Sequence, residues 1–380
     1  MKKVVILQYR LLHYRLGLFE GLQKACETKG IELHLVHGQP TKRESKRRDI
    51  GTLPWADAVV NRYVSIGDKD ILWQPFPEKH RDADLVVFMQ ENRLLSNYPW
   101  LLLRNFHKIK TAYWGHGRNF QTTRPAGLRE KWKQFLVGRV DWWFAYTDMT
   151  KDILLADGYP RERITVLDNA IDNESFVADL AAVSDARLAD LRHQLDVPAD
   201  AQVGLYCGSL YPDKRLDYMV AAADKIRAAL PNFHLLIIGD GPSAGEIKAA
   251  AATRPWLHWL GVRKGIEKAE YFRLADVIIN PGAVGLHVLD SFCAGTPMVT
   301  TTEAKHGPEI AYLKNDENGL VVTGDANVYA NAIIDLFQNP PHYAQLQTRA
   351  LADAQRYTLQ NMVEHFADGI ERCLNMERKF

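Results

Sequence analysis

Asn280–Thr301, NPGAVGLHVLDSFCAGTPMVTT, is the stretch on which the fold turns. It reads as a buried strand ending at Ile278–Ile279, then a loop holding Gly282 and Gly285. A helix follows over about Leu286–Ala294, closed by Gly295, and a second strand starts at Met298. A glycine loop feeding a helix leaves backbone N–H groups unpaired and pointing one way, which is a site for a phosphate group. Asp290 lies about one turn along that helix, where a carboxylate can accept hydrogen bonds from sugar hydroxyls. Read alone, the same stretch also fits a plain βαβ connection whose glycines serve only the turn.

The rest of the chain repeats this alternation. Short β-branched runs fall at Val4–Gln8, Glu32–Val36, Asp84–Met89, Lys110–Trp114, Trp142–Tyr146 and Ile164–Leu167. A second set falls at Gln202–Cys207, Phe233–Ile238, Leu257–Leu260, Val277–Ile279, Met298–Thr301 and Gly319–Val322. Amphipathic segments separate them, so the fold class is α/β, with two Rossmann-like, doubly wound parallel domains facing a central cleft. The expected domains are 1–175, a linker at 176–200 with a helical piece near Asp185–Gln194, and 201–355. A terminal helix at 356–380 has Met362, Val363, Phe366, Ile370, Cys373 and Leu374 on one face, suited to docking on the first domain.

Composition excludes several classes. Lys and Arg number 47 against 46 Asp and Glu over 380 residues, so a net charge of +1 gives no bulk field for nucleic acid. The cysteines, Cys26, Cys207, Cys293 and Cys373, are far apart and suggest buried reduced thiols, with no metal-ligand spacing. No Asp-x-Asp motif of the metal-dependent kind is read. No secretory leader and no apolar run of roughly eighteen residues is seen, so a cytoplasmic protein is expected.

The second half carries the chemistry. Gly208-Ser209-Leu210-Tyr211-Pro212-Asp213-Lys214-Arg215 follows a strand and precedes a helix, so two cations stand at a strand–helix junction. They suit a phosphate or diphosphate; a solvated basic turn fits equally. Ile237-Ile238-Gly239-Asp240-Gly241-Pro242 is a turn where glycine admits a flat ligand, and Trp259-Leu260-Gly261-Val262-Arg263 repeats it.

This ordered set, GSLYPDKRLD, IIGDGP, WLGV, YFRLADVIINP, VGLHVLDSFCAGTPMVTT, GPEI and ENGLVV, resembles the C-terminal half of family-four, GT-B fold glycosyltransferases (glycosyl transferases group 1). Val166–Asp172 and Tyr113-Trp114-Gly115-His116-Gly117 resemble that family's first domain. The resemblance implies a retaining enzyme using a nucleotide-sugar donor, UDP- or GDP-linked, as substrate with no resident cofactor. It places Lys214 on the donor diphosphate and Asp290 on the ribose, and Arg215 beside Lys214 would help stabilise the leaving diphosphate. The loop at Gly282, Val284, Gly285, Leu286 and His287 falls on the phosphates and donor sugar. Val262 falls on the base, Gly208, Ser209 and Gly239 line the donor site, and His116 lies beside the reacting carbon. Two positions depart from the pattern. Counting back eight from Asp290 reaches Gly282, where the family has a glutamate, and Ser209 stands where it usually has an arginine. His287 and Glu309 are candidates to fill the gap, and Arg215 could supply the missing charge.

The first domain is expected to hold a glycan or lipid-linked acceptor. The loop after the first strand offers Arg10, His13, Arg15 and Gly17, and Glu91 follows the third; an ordinary helix entry with exposed charges fits as well. Thr41–Arg48 is basic, and Arg124–Arg139 mixes Arg129, Lys131, Lys133 and Arg139 with Leu128, Trp132, Phe135 and Leu136, which suits an anionic membrane surface or a solvated helical face. The implied setting is bacterial-type polysaccharide or glycoconjugate synthesis. The alternatives are a decayed nucleotide-sugar-binding homologue and a nucleotide-sugar epimerase of the same fold.

Overall fold

A computed structural model describes residues 1–41, 44–47, 49–67, 69–102, 108–117 and 135–377. The chain divides into two compact units, one of Met1–Ile171 with Leu359–Phe380 and one of Asp172–Thr358.

The first unit is built on a seven-stranded parallel sheet in the order β3-β2-β1-β6-β7-β8-β9. Its strands are β1 (Lys2–Gln8), β2 (Ile31–His37), β3 (Asp57–Ala58), β6 (Leu85–Met89), β7 (Lys110–Gly115), β8 (Trp142–Ala145) and β9 (Ile164–Val166). An antiparallel hairpin, β4 (Arg62–Ile66) with β5 (Lys69–Trp73), stands apart. The central strands read as continuous apolar runs because helices cover both faces, as parallel sheets require. The chain pairs β2 on one side of β1 and β6 on the other, so the winding reverses between β1 and β6.

The second unit holds a six-stranded parallel sheet in the order β12-β11-β10-β13-β14-β15. These strands are β10 (Val203–Cys207), β11 (His234–Ile238), β12 (Leu257–Gly261), β13 (Val277–Ile279), β14 (Met298–Thr301) and β15 (Gly319–Val322). Here the winding reverses between β10 and β13. Ligands of open α/β sheets bind outside the strand ends at such a reversal, which singles out the loops after β10 and β13.

Every strand expected from the sequence forms. The hairpin and β3 were not anticipated, because they lie outside the strand–helix alternation. The stretch 176–200 is not a linker. Helices Glu174–Ala182 and Asp185–Gln194 bury Phe176, Leu180 and Leu191, and Ser184 caps the second by accepting from the Arg187 amide at 3.2 Å. Phe176 meets Phe272 edge-on at 5.2 Å, and Arg187 grips Glu270 through two bonds of 2.7 and 3.0 Å. Its Ala- and Asp-rich composition is that of short amphipathic helices, so the second unit starts at Asp172.

The helix Leu359–Asn375 belongs to the first unit. Phe366 packs against Trp114 at 5.1 Å and Phe144 at 4.4 Å between ring centroids. A Cβ on Gly369 would fall 2.5 Å from Thr165 Oγ1 and 2.7 Å from Phe144 Cε1, so the helix seats only because this residue is glycine. Gly369→Ala is expected to destabilise the first unit by roughly 1–3 kcal/mol through overpacking, measurable by denaturant unfolding; an unchanged midpoint would refute the packing account.

Candidate functional site

At the reversal in the second unit, the loop after β13 lies directly on the loop after β10. The Ala283 amide donates to Asp213 O at 3.0 Å, and Lys214 Nζ donates to the Ala283 carbonyl. Gly282 makes this contact possible: a Cβ there would stand 2.3 Å from Lys214 Cα and 2.4 Å from its carbonyl carbon and oxygen. A glutamate at 282 has no room. The missing carboxylate is therefore a consequence of how closely the two loops approach.

The loop is stapled from the other side as well. Thr301 Oγ1 donates to Pro281 O at 2.7 Å, and the Val284 amide donates to His306 Nδ1 at 3.2 Å. His306 Nε2 donates to Thr301 O at 2.6 Å, so the two bonds together fix a neutral ring protonated at Nε2. Burial, the largest effect, holds this histidine below its ordinary pKa. His306 was not singled out from the sequence; its one sign was a histidine between β14 and Gly307-Pro308. His306→Ala would leave the Val284 amide and Thr301 carbonyl unpaired, costing about 1–3 kcal/mol of stability. Chemical denaturation of the variant checks this, and wild-type stability would contradict it.

With Ala283 and Val284 occupied, the expected contribution of Val284 to an anion site is corrected: its amide is spent on His306. The amides of Gly285, Leu286 and His287 have no partner among the described residues. They open the helix His287–Ala294, which Gly295 closes in the left-handed conformation at φ 62°. His287 Nε2 is buried and without a hydrogen-bond partner. Burial, then Lys214 and Lys268, push the pKa of this half-buried ring well down, so it is neutral. Lys214 is only 5% exposed, and burial lowers its ammonium to about 8. Three free amides, a neutral imidazole and a buried cation thus gather at the β10–β13 reversal.

Asp290, also buried, pairs with Lys268 at 2.7 Å. Burial raises its carboxyl pKa, and the ammonium opposes that shift. Lys268 in turn rests over the Phe176 ring at 4.3 Å, a neighbour that nothing local in the sequence marks. Arg215 adopts the left-handed conformation at φ 53° and donates to Thr301 Oγ1 at 2.6 Å, with its guanidinium over Tyr218 at 4.1 Å. It is committed to β14 rather than paired with Lys214. Gly239 needs glycine too: a Cβ there would fall 1.9 Å from Gly208 O. Ser209 and Val262 are exposed strand-end residues, and Glu309 folds its carboxylate over Gly307, where a Cβ would lie 2.6 Å away.

In the first unit, the loops after β1, β6 and β7 gather the remaining candidates. Arg15 is 6% exposed, donates to Asn169 Oδ1 at 2.7 Å and lies over Trp114 at 5.3 Å and Tyr146 at 5.9 Å. His116 packs edge-on to Tyr146 at 4.1 Å, with Nδ1 buried and unpartnered. Burial, then Arg15, lowers its pKa to about 4, so it serves as a neutral ring. Arg10 instead grips Asp49 at 3.0 and 3.1 Å and takes the Tyr9 hydroxyl as acceptor, a structural assignment. His13 is exposed and bonds Asp49 O, Gly17 is exposed beside Leu359, and Glu91 is held by Arg93 at 2.6 Å. Lys42, Arg43, Arg48 and residues 118–134, which carry most of both basic segments, lie outside the described residues. Two Asp-x-Asp triplets do exist. Asp68 of the first lies outside the described residues. Asp82 and Asp84 of the second pair with Lys3 and Lys2 at the N-terminal ends of β6 and β1, away from the loops that follow these strands. Among the described residues, no helix is long and apolar enough to cross a membrane.

Residues 201–339 match the family model described as glycosyl transferases group 1. D-inositol 3-phosphate glycosyltransferase of Stackebrandtia nassauensis is 30% identical over 56% of this chain and 50% of its own length. Alpha-monoglucosyldiacylglycerol synthase of Acholeplasma laidlawii is 21% identical over 51% of this chain and 48% of its own. The chain spans about half the length of the first curated relatives it matches. Among solved structures, Anabaena HepE in complex with UDP covers 98% of this chain and 100% of its own at 15% identity and a TM-score of 0.69. WaaG, a glycosyltransferase involved in lipopolysaccharide biosynthesis, covers 96% and 98% at 14% identity and a TM-score of 0.59. The second unit thus matches glycosyl transferases group 1, and the chain as a whole shares the GT-B fold of these solved structures.

Proposed function

We propose that this protein transfers a sugar from a nucleoside diphosphate donor to a hydroxyl of a glycan or lipid-linked acceptor, with retention of anomeric configuration. The observation that carries the proposal is the set of free amides at Gly285–His287 beside buried Lys214 at the β10–β13 reversal. Such donors, fixed before the reaction, stabilise the charge that grows on a departing diphosphate. Lys214 and the helix N-terminus would receive that charge, so the reading needs no divalent ion and no resident cofactor. Asp290, released from Lys268, would accept the ribose hydroxyls, and the Val262 backbone would meet the base. Arg215 contributes indirectly by holding the start of its helix against Thr301.

His116 is neutral and half-buried, so it would act as a hydrogen-bond partner near the sugar rather than as a cation. No carboxylate stands at 282 to serve as a nucleophile. We therefore favour front-face attack, in which the leaving phosphate oxygen takes the acceptor proton as the new glycosidic bond forms. The first unit would choose the acceptor, with buried Arg15 suited to an anionic group. The UDP named for HepE makes a uridine donor the first choice, ahead of GDP. Thermal-shift screening of UDP-, GDP-, ADP- and dTDP-sugars is expected to show stabilisation by one base; stabilisation by none would count against the proposal. NMR of the product should show a retained anomer, and an inverted one would refute front-face attack.

A further inference from the structure

Three further residues converge at one edge of the first unit's sheet. His34 lies on β2, Asp57 on β3, and His80 in the 3-10 turn Glu78–His80 that precedes β6. One ring nitrogen of each histidine and one Asp57 carboxylate oxygen all lie within 4.8 Å of one another. The two imidazole centroids are 4.5 Å apart, with ring planes at 44°.

Ordinary hydrogen bonding accounts for only part of this cluster. His80 is 1% exposed; its Nε2 lies 2.7 Å from Asp57 Oδ2, while its Nδ1 is buried with no hydrogen-bond partner. His34 Nε2 meets Glu32 Oε1 at 2.9 Å. The charges around the cluster are mixed. Lys79 Nζ sits 2.6 Å from Asp57 Oδ1 but is 63% exposed, so it can leave at small cost. Lys3 is held by Asp82, and Glu32 adds a negative charge beside His34.

We propose that His34, His80 and Asp57 form a binding site for a divalent first-row transition metal ion, with zinc as its ligand of choice. Two imidazoles and one carboxylate match the donors that zinc prefers and that magnesium and calcium do not. Side-chain rotation would bring the three donors in, and water would complete the tetrahedron. Glu32 would orient the His34 ring from outside the coordination sphere. The ion would tie β3, a two-residue strand at the sheet edge, to β2 and to the segment before β6.

The test is calorimetric titration of the whole chain with zinc, joined to the absorption spectrum of a cobalt-loaded sample. One ion per chain is expected, with a tetrahedral cobalt spectrum and a raised melting temperature that magnesium does not reproduce. His34→Gln and Asp57→Asn, both at partly exposed positions, each remove a direct ligand and are expected to weaken zinc by more than the roughly ten- to hundredfold that loss of an outer partner costs, while keeping the circular dichroism of the wild type. Absence of binding at millimolar zinc, or binding that neither variant weakens, would overturn the site. The readout is metal binding, so it stands or falls apart from the sugar-transfer reading.

Discussion

Lys214→Ala is expected to lower kcat/KM for a nucleotide-sugar donor by about 10²–10³-fold, the loss seen when one preorganised donor to a developing anion is removed. The effect should appear in both donor affinity and turnover, because in the proposed reaction the ammonium would face the diphosphate before and after the bond breaks. Lys214→Met separates charge from packing. The cation is costly to bury, so the methionine variant should fold at least as stably as the wild type while losing the donor. The pH dependence has a definite sign. Burial lowers Lys214 from 10.5 to about 8, so donor binding should fall as pH rises above about 8, and a bound diphosphate should shift that limb upward. Between those two values the unfolded chain binds more protons at this residue, so its contribution to stability rises with pH across the window. Steady-state kinetics over this range check the sign; a flat alkaline profile would contradict it.

Gly282→Glu, which writes the family's carboxylate back into the sequence, is expected to destroy the site. The new Cβ would collide with the Lys214 backbone, and no rotamer relieves a backbone clash. The cost should be about 3 kcal/mol or more of overpacking, lowering the melting temperature and abolishing donor binding together. Gly282→Ala should show much of the same loss, since the collision is at Cβ. A Gly282→Glu variant with wild-type melting and higher turnover would show that the loops separate readily, against the geometry described above.

The parallel core was legible because buried strands such as Val277–Ile279 are apolar without interruption and are followed by glycine turns. Gly295 announced the helix end, and the apolar face of the last helix announced that it must dock. The hairpin at Arg62–Trp73 escaped because it belongs to no strand–helix unit. Helix Glu174–Ala182 escaped because Ala and Asp were weighed as linker composition, while its anchor, Phe176, finds its partner at Phe272, far along the chain. The site was read in outline only. Lys214, His287 and Asp290 stand on the segments that follow β10 and β13, yet the sequence could not show which amides are already taken. His306 and Lys268 act across sequence separations of 22 residues each from Val284 and Asp290, and nothing local marks them. Arg10 and Glu91 looked available and are locked in ion pairs: Asp49 reaches Arg10 only after folding, whereas Arg93 stands just two residues from Glu91 in the chain.

The central claim is tested most directly by following nucleoside diphosphate release from the stabilising donor, with and without acceptor. Release should depend on acceptor, be matched by sugar on the acceptor, and be lost in Lys214→Met. Donor turnover without any acceptor, as in an epimerase, or tight nucleotide binding with no turnover against a broad acceptor panel, would contradict it.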